Sequence, residues 1–405
     1  MKLNYVHLYN LNVGGYGADG VLVDGENGSS GFKNVYIGYV TAHNNTGHSG
    51  SGTAGIIVTS DANYGFGDKN ASIQNVLIDH SVSYSNSGTA GNANWSGSGI
   101  MMANVNDGTI QYSVAYDNGA RGSSPAGGPV GIWAADATNI KIQYNESYDT
   151  MTNNGSDGDG FGLDGGVTNS VMQYNYSHDN AGAGYSAYTY NDGYVTGSKG
   201  ITVRDNISQN DVRSKDNWYG SITIGDDRGT LTGVNVYDNT VYQSLGSPIY
   251  AAAIEGSSAS SIHALLANNI FYTANGSRLI EDRAGSRNVS FEDNDYYSTG
   301  PFSAIWGSTN YTSLASWAKA TGEETLSGRL VGTTANPMLD DPGGGGITDG
   351  YNPTKLAAYE LLSGSPIYGA GLNLHALYGI NVGTHDYYGD PLPSSGLGIG
   401  AFQHG

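Results

Sequence analysis

One motif returns along this chain at intervals of about 30 residues: an alternating strand that ends on a polar turn. It is cleanest in Ile110-Gln-Tyr-Ser-Val-Ala-Tyr-Asp-Asn118, Ile142-Gln-Tyr-Asn-Glu-Ser-Tyr-Asp149 and Met172-Gln-Tyr-Asn-Tyr-Ser-His-Asp-Asn180. The same frame fits Ile78, Val203, Val236, Leu266 and Phe291, and more loosely Ile37. Within it, Asn145, Asn175, Asn206, Asn239, Asn269 and Asn294 fall in one column. Internal repetition at this period signals a stacked architecture, in which each unit contacts only its neighbours. Stacked Asn side chains can hydrogen-bond from layer to layer.

A second strand begins with Gly in most units: Gly20-Val-Leu-Val, Gly55-Ile-Ile-Val, Gly99-Ile-Met-Met, Gly131-Ile-Trp-Ala, Gly160-Phe-Gly-Leu and Gly184-Tyr-Ser-Ala. Alternation turns Val21 and Val23, Ile56 and Val58, and Phe161 and Leu163 inward. The leading Gly suits a sharp turn into the strand. Together the two strand types predict an all-β, single-stranded, right-handed parallel β-helix. Its coils occupy residues 1–299, and a C-terminal segment at 300–405 caps the last open coil. Within the cap, residues 312–320 read as a short helix with Thr312 as N-cap. The Gly343–Gly346 run reads as a flexible break. Coils this long leave excess chain at 44–54, 86–98, 119–129 and 150–159, and long loops on a regular scaffold carry function.

Net charge narrows the partners. With a formal charge of −20 the chain has no basic field to recruit nucleic acid. It also has no apolar run long enough for a membrane span. The absence of Cys removes disulfide and thiolate chemistry. The beginning, MKLNYVHLYN, reads directly as strand, so a signal peptide and an N-terminal cap are expected upstream.

The coils, the stretch Asp157-Gly-Asp-Gly-Phe-Gly-Leu-Asp-Gly-Gly166, and a C-terminal pattern of Ser365-Pro366, Asp386 to Gly389 and Gly398-Ile-Gly-Ala-Phe402 resemble secreted bacterial β-helix proteins of the pectate-lyase-like superfamily. The resemblance covers nearly the whole chain. It implies an extracellular, monomeric protein that engages a polysaccharide or oligosaccharide, as a glycoside hydrolase, a polysaccharide lyase or a non-catalytic adhesive β-helix. The Asn-Thr-Asp, Gly-His-Gly and Arg-Ile-Lys signatures of the common pectin hydrolases are absent.

Acids following the Gly-led strands form an expected outer row of Asp24, Asp61, Asp136, Asp164, Asp226 with Asp227, and Glu255. Glycoside hydrolysis needs one carboxyl to protonate the leaving oxygen and another to attack or to activate water. Coils stack about 4.8 Å apart. Asp136 and Asp164, on successive coils, therefore fit the roughly 5 Å of a retaining pair. Asp164 and the Asp226–Asp227 pair, two coils apart, approach the roughly 10 Å limit of an inverting one. Asp164 belongs to both pairs, which makes it the leading catalytic candidate. Trp133, Tyr188 and Tyr190, in a central group with Trp95, Tyr185, Trp218 and Tyr219, supply flat faces for sugars. Glu255 and His178, the latter in the slot of Tyr84, Tyr116 and Tyr148, are further substrate contacts. Arg204 and Arg228 lie in a basic group with Lys199, Arg213 and Lys215, from which a lyase would draw its base. Glu146 stands where other coils have Val82, Val114 or Ile207. No cofactor is required by this chemistry. Asp157 and Asp159 could hold Ca²⁺ through hard oxygens, without the full spacing or distal Glu of an EF-hand.

Overall fold

The corner between the two strands of each repeat takes a backbone conformation that few side chains tolerate. In the computed structural model, which describes residues 4–25, 33–47, 52–60, 73–91, 94–214, 219–349 and 352–403, Tyr112, Tyr144 and Tyr174 have φ of 47°, 56° and 57°. Asp205, Asp238 and Asp293 hold the same position in later coils with φ of 49°, 56° and 57°. A left-handed residue costs roughly 1 kcal/mol, and the Asn column offsets it: Ser113 N, after Tyr112, donates to Asn145 Oδ1 at 2.9 Å, and Asn residues follow the later ones. Asn145 donates from its backbone N at 3.1 Å and from Nδ2 at 3.0 Å to the same Oδ1 of Asn175. The Nδ2–Oδ1 step recurs from Asn175 through Asn206, Asn239 and Asn269 to Asn294 at 2.9–3.1 Å. The column ends on Glu324, whose Oε1 accepts from Asn294 Nδ2 and from the Tyr296 hydroxyl, both at 2.7 Å. Burial raises the Glu324 carboxyl to about 8.

Three parallel sheets result. Among the described residues, the first has ten strands, from Val6–Tyr9 to Asn288–Glu292, and the second nine, from Asn12–Gly14 to Ile270–Thr273. The third runs from Val21–Asp24 through Ala304–Trp306 and closes with the antiparallel strand Thr309–Tyr311. Strand order follows the coil sequence in each sheet, as in a parallel β-helix, and crossovers between parallel strands of this kind run right-handed. The interior is one continuous apolar column. The expected inward pairs Val21/Val23, Ile56/Val58 and Phe161/Leu163 all belong to it.

The leading glycines serve a different purpose from the one expected. Gly55, Gly99, Gly131, Gly160 and Gly184 do not have positive φ. A Cβ on Gly131 would lie 2.0 Å from Ser147 Oγ, and one on Gly160 would lie 2.3 Å from Ser177 Oγ. Close approach of the third sheet to the second, not turn geometry, requires Gly there. A second ladder supports this seam: Asn86 Nδ2 donates to Asn118 Oδ1 at 2.9 Å, and Asn180 Nδ2 to Asp211 Oδ1 at 2.8 Å. Its signal was present two residues after the tyrosine column, at Asn86, Asn118 and Asn180.

That tyrosine column stacks at coil spacing, Tyr84 on Tyr116 on Tyr148 on His178, with centroids 4.8–5.0 Å apart. Neighbouring amides form a directed relay. Arg204 Nη2 donates to Gln173 at 2.5 Å, Gln173 to Gln143 at 2.8 Å, Gln143 to Gln111 at 3.1 Å, and Gln111 to Asp79 at 3.0 Å.

The C-terminal region does more than cover the last coil. The helix Leu314–Thr321 closes that end, with Ser313 rather than Thr312 as N-cap and Trp317 set in the core. Later residues instead fold back along the flank of the second sheet. Glu146 accepts from Thr348 N at 2.9 Å and from Thr348 Oγ1 at 2.5 Å. Gln209 Nε2 donates to Gly345 O at 2.8 Å, and Arg204 Nη1 to Val382 O at 2.7 Å. The glycine run is thus docked rather than a break: a Cβ on Gly345 would meet the Tyr176 hydroxyl at 2.6 Å. The flank brings Tyr359, Leu361, Ile367, Tyr387 and Ile399 onto Tyr176, Ile207 and Ile270 in a second apolar cluster.

Gly131→Ala is expected to lower stability by about 2–4 kcal/mol through overpacking against Ser147. Gly162→Ala, whose Cβ would sit an ordinary 3.5 Å from Trp133 Cβ, should stay within about 1 kcal/mol of wild type. Denaturant melts of the two variants check the contrast.

Candidate active site

On the outer face of the third sheet, Trp133, Gly162, Ser186 and Thr223 stand in register on four successive coils. They floor a trough of about 960 Å³. One wall is built where chain enters the strands, from Trp95, Pro125–Gly128, Asp157, Asp159 and Tyr219. The other is built where chain leaves them, from Asp164, Tyr188, Tyr190, Asp226–Arg228 and Glu255. Trp95 and Trp133 pack together at 6.3 Å and form the apolar end of the trough.

Asp164 follows the strand Asp159–Leu163, one residue beyond the paired Ala134, Leu163 and Ala187. Period-2 alternation therefore turns it outward, into the trough. Its Oδ1 accepts from Gly165 N at 2.6 Å. Desolvation first, and then the nearby Asp157, raise its carboxyl to about 7, against the smaller opposing effect of the Gly165 bond.

Asp157 lies on the facing wall. Its Oδ1 accepts from the Tyr219 hydroxyl at 2.7 Å and its Oδ2 from Gly128 N at 2.5 Å. Tyr219 comes from 62 residues later in the chain. It can reach Asp157 because the intervening coil carries only Ala181-Gly-Ala-Gly184 at this point. A Cβ on Gly182 would lie 2.1 Å from Asp159 Oδ1, which instead accepts from Ala183 N at 2.6 Å. Burial and the neighbouring Asp157 push the Asp159 carboxyl well above the usual range.

The remaining candidates separate. Tyr188, Tyr190, Trp133 and Glu255 line the trough. Tyr188 packs over the bare Gly225 and Tyr190 over Gly165. Asp226 pairs in register with the inward Thr189, one step out of phase with the outward row. Its carboxyl is consumed by Ser257 N at 3.0 Å, by the Ser257 hydroxyl and by Ser261 Oγ at 2.6 Å, so it braces a turn rather than reacting. Asp227 is exposed, and a two-pronged pair with Arg228 at 2.9 Å on both contacts holds it below the usual carboxylate range. Asp136 occupies a left-handed turn, φ 46°, against Gly166 and off the trough lining. Its backbone N donates to Gly165 O at 2.8 Å beside Asp164, so the coils align as expected while the Asp136 side chain stands off the trough lining.

His178 and Arg204 lie elsewhere. His178 is 2% exposed, stacked on Tyr148 and bonded to Glu146 at 3.2 Å and Asp179 at 2.9 Å. Arg204 clasps Asp205 at 2.7 Å beneath the C-terminal flank. Both belong to docking of that flank, and Glu146 with them. The basic group disperses as well: Arg213 pairs with Asp179, and Lys199 is exposed on the first sheet. Asp61, Lys215 and Trp218 fall outside the described residues. Among the described residues no three His, Asp or Glu side chains gather as a metal site, and Asp157 and Asp159 instead take protein N–H and O–H donors.

No family model and no curated protein matches the chain. Among solved structures, it is similar to PfbA, a surface adhesin of Streptococcus pneumoniae, at 14% identity over 75% of this chain and 74% of that one, with a TM-score of 0.40. It is also similar to Jun a 1, the major allergen from cedar pollen, at 13% identity over 77% and 86% of the two chains, with a TM-score of 0.37. Likeness at this level bears on neither ligand nor chemistry.

Folded Asp164 keeps its proton to about pH 7, whereas an unfolded Asp releases it near about pH 4. The folded state thus binds more protons across that window, and wild-type stability falls as pH rises through it. Asp164→Asn has no carboxyl to ionise. Its melting temperature relative to wild type should therefore be higher at pH 8 than at pH 4, as measured by thermal melts at both values.

Proposed function

We propose that this protein is an extracellular, monomeric glycoside hydrolase that degrades a polysaccharide in the trough of the third sheet. The observation that carries the reading is the pair of unlike carboxyls on the two walls of the trough, with Asp157 near enough to help raise Asp164. Asp164 holds a proton near neutral pH, as a general acid must. Asp157 accepts two hydrogen bonds, from Tyr219 and Gly128, which favour the charged form of a carboxyl. Environments that drive two acids apart in this way divide the acid and base roles between them.

In this scheme Asp164 protonates the departing glycosidic oxygen. Asp157 supplies the anionic carboxylate, either to the anomeric carbon or to a water molecule beside it. Asp159, whose carboxyl burial pushes well above the usual range, lies beside Asp157 on the same wall. Tyr188 and Tyr190, both partly exposed, offer ring surface to sugar C–H faces, and the buried Trp133 backs the apolar end of the floor. A lyase would need an available base, and the one described cation on the trough, Arg228, is engaged by Asp227.

A polysaccharide panel, read for new reducing ends and for the ultraviolet absorbance of unsaturated sugars, tests the reaction class. Reducing ends without absorbance are expected. Absorbance would indicate elimination, and retention on glycan with neither signal would reject catalysis. Asp164→Asn should lower kcat by at least about 10²-fold, the scale of a lost general acid. Tyr219→Phe should retain the fold and lower kcat, because Asp157 loses the hydroxyl that holds it at 2.7 Å.

A further inference from the structure

The trough's charge distribution goes further and addresses which glycans it admits. Its rims carry Asp157, Asp192, Asp226, Asp227 and Glu255 in addition to Asp159 and Asp164. Arg228 is the one basic side chain among the described residues that line it, and both its contacting nitrogens are taken by Asp227. The other central cations point away: Arg204 lies beneath the C-terminal flank and Arg213 is paired with Asp179. The floor is uncharged and small, formed by Gly162, Ser186 and Thr223 between the rings of Trp133 and Tyr188.

Resting on the hydrolase reading of this same trough, we infer that its substrate is an uncharged glycan, and that polyuronates are excluded. A uronate carboxylate entering here would meet carboxyls on both walls and no unengaged guanidinium or ammonium from the described residues. Recognition of a carboxylate favours a two-pronged Arg, and in this trough that fork is already occupied. A neutral pyranose asks for different partners: ring faces for its C–H surface, and hydroxyl or carboxyl acceptors for its hydroxyls. The Ser186 hydroxyl, the rim carboxyls and the rings of Tyr188 and Tyr190 supply them. The raised carboxyls of Asp164 and Asp159 agree, since the surroundings of both disfavour a further negative charge.

The test separates affinity from turnover. Binding of neutral oligosaccharides (gluco-, xylo- and manno-series) and of oligogalacturonate and oligoguluronate of equal length is measured by calorimetry with Asp164→Asn, at about 0.02 M and about 0.5 M salt. At least one neutral series should bind tenfold or more tighter than either uronate at low salt. The gap should narrow at high salt, because repulsion is screened. Equal or tighter uronate binding would overturn the inference, as would uronate binding restored by millimolar Ca²⁺. Failure of every series to bind would also overturn it. The wild-type enzyme then reports separately on the reaction. Neutral binding without release of reducing ends would reject hydrolysis while leaving the substrate class standing.

Discussion

The asparagine corner is the interaction on which the rest of this molecule depends. Each coil reverses through a left-handed residue, and from Asn145 onward the residue after it is held by an amide that bonds both its backbone and its side chain, a place that Ser hydroxyls take in the earlier coils. Neither element is stable alone. In these coils a left-handed Tyr144 without Asn175 beneath its successor would be strained, and a buried Asn without its stacked partners would leave amide groups unsatisfied. Stacking resolves both costs at once and fixes the coil spacing. Strand register in all three sheets then follows, and with it the alignment of Trp133, Gly162, Ser186 and Thr223 along one line.

The trough depends on that alignment but is made by departures from it. Where the sheet-three row carries no side chain, at Gly162, there is room above the floor. Where one coil shortens its connection to Ala181-Gly-Ala-Gly184, Tyr219 and Asp157 meet across it. Regular coils thus supply position, and irregular ones supply chemistry. The raised carboxyl of Asp164 follows from the enclosure those irregular walls create.

This division explains what could be read in advance. The fold was legible because the constraint repeats: Asn145 to Asn294 must all do the same thing, and so they share one letter. Asp164 was legible because alternation alone turns it outward. Asp226 and Asp136 were misplaced by a single register step or a turn, a shift that leaves composition unchanged but moves a side chain to the other face. His178 and Arg204 were misassigned because the C-terminal flank that buries them, through Glu146 with Thr348 in one case and through Val382 in the other, carries no repeat that could announce it. The pairing of Asp157 with Tyr219 needs three coils to be superposed, and neither residue type marks it locally.

The polarity of the asparagine ladder also bears on how such a chain can change its length. Every Asn in the column both accepts from the coil before it and donates to the coil after it, so any of these coils presents the same two faces. A whole coil could be duplicated or excised between Asn175 and Asn269 and the seam would still close. Glu324 is different: its Oε1 receives both Asn294 and the Tyr296 hydroxyl, and its side chain lacks the NH2 group with which each Asn reaches the next coil. It acts as a terminator, a chemical full stop after which growth by copying is no longer possible. Variation in coil number among chains built this way should therefore arise inside the stack, leaving the Glu-bearing end as its fixed point.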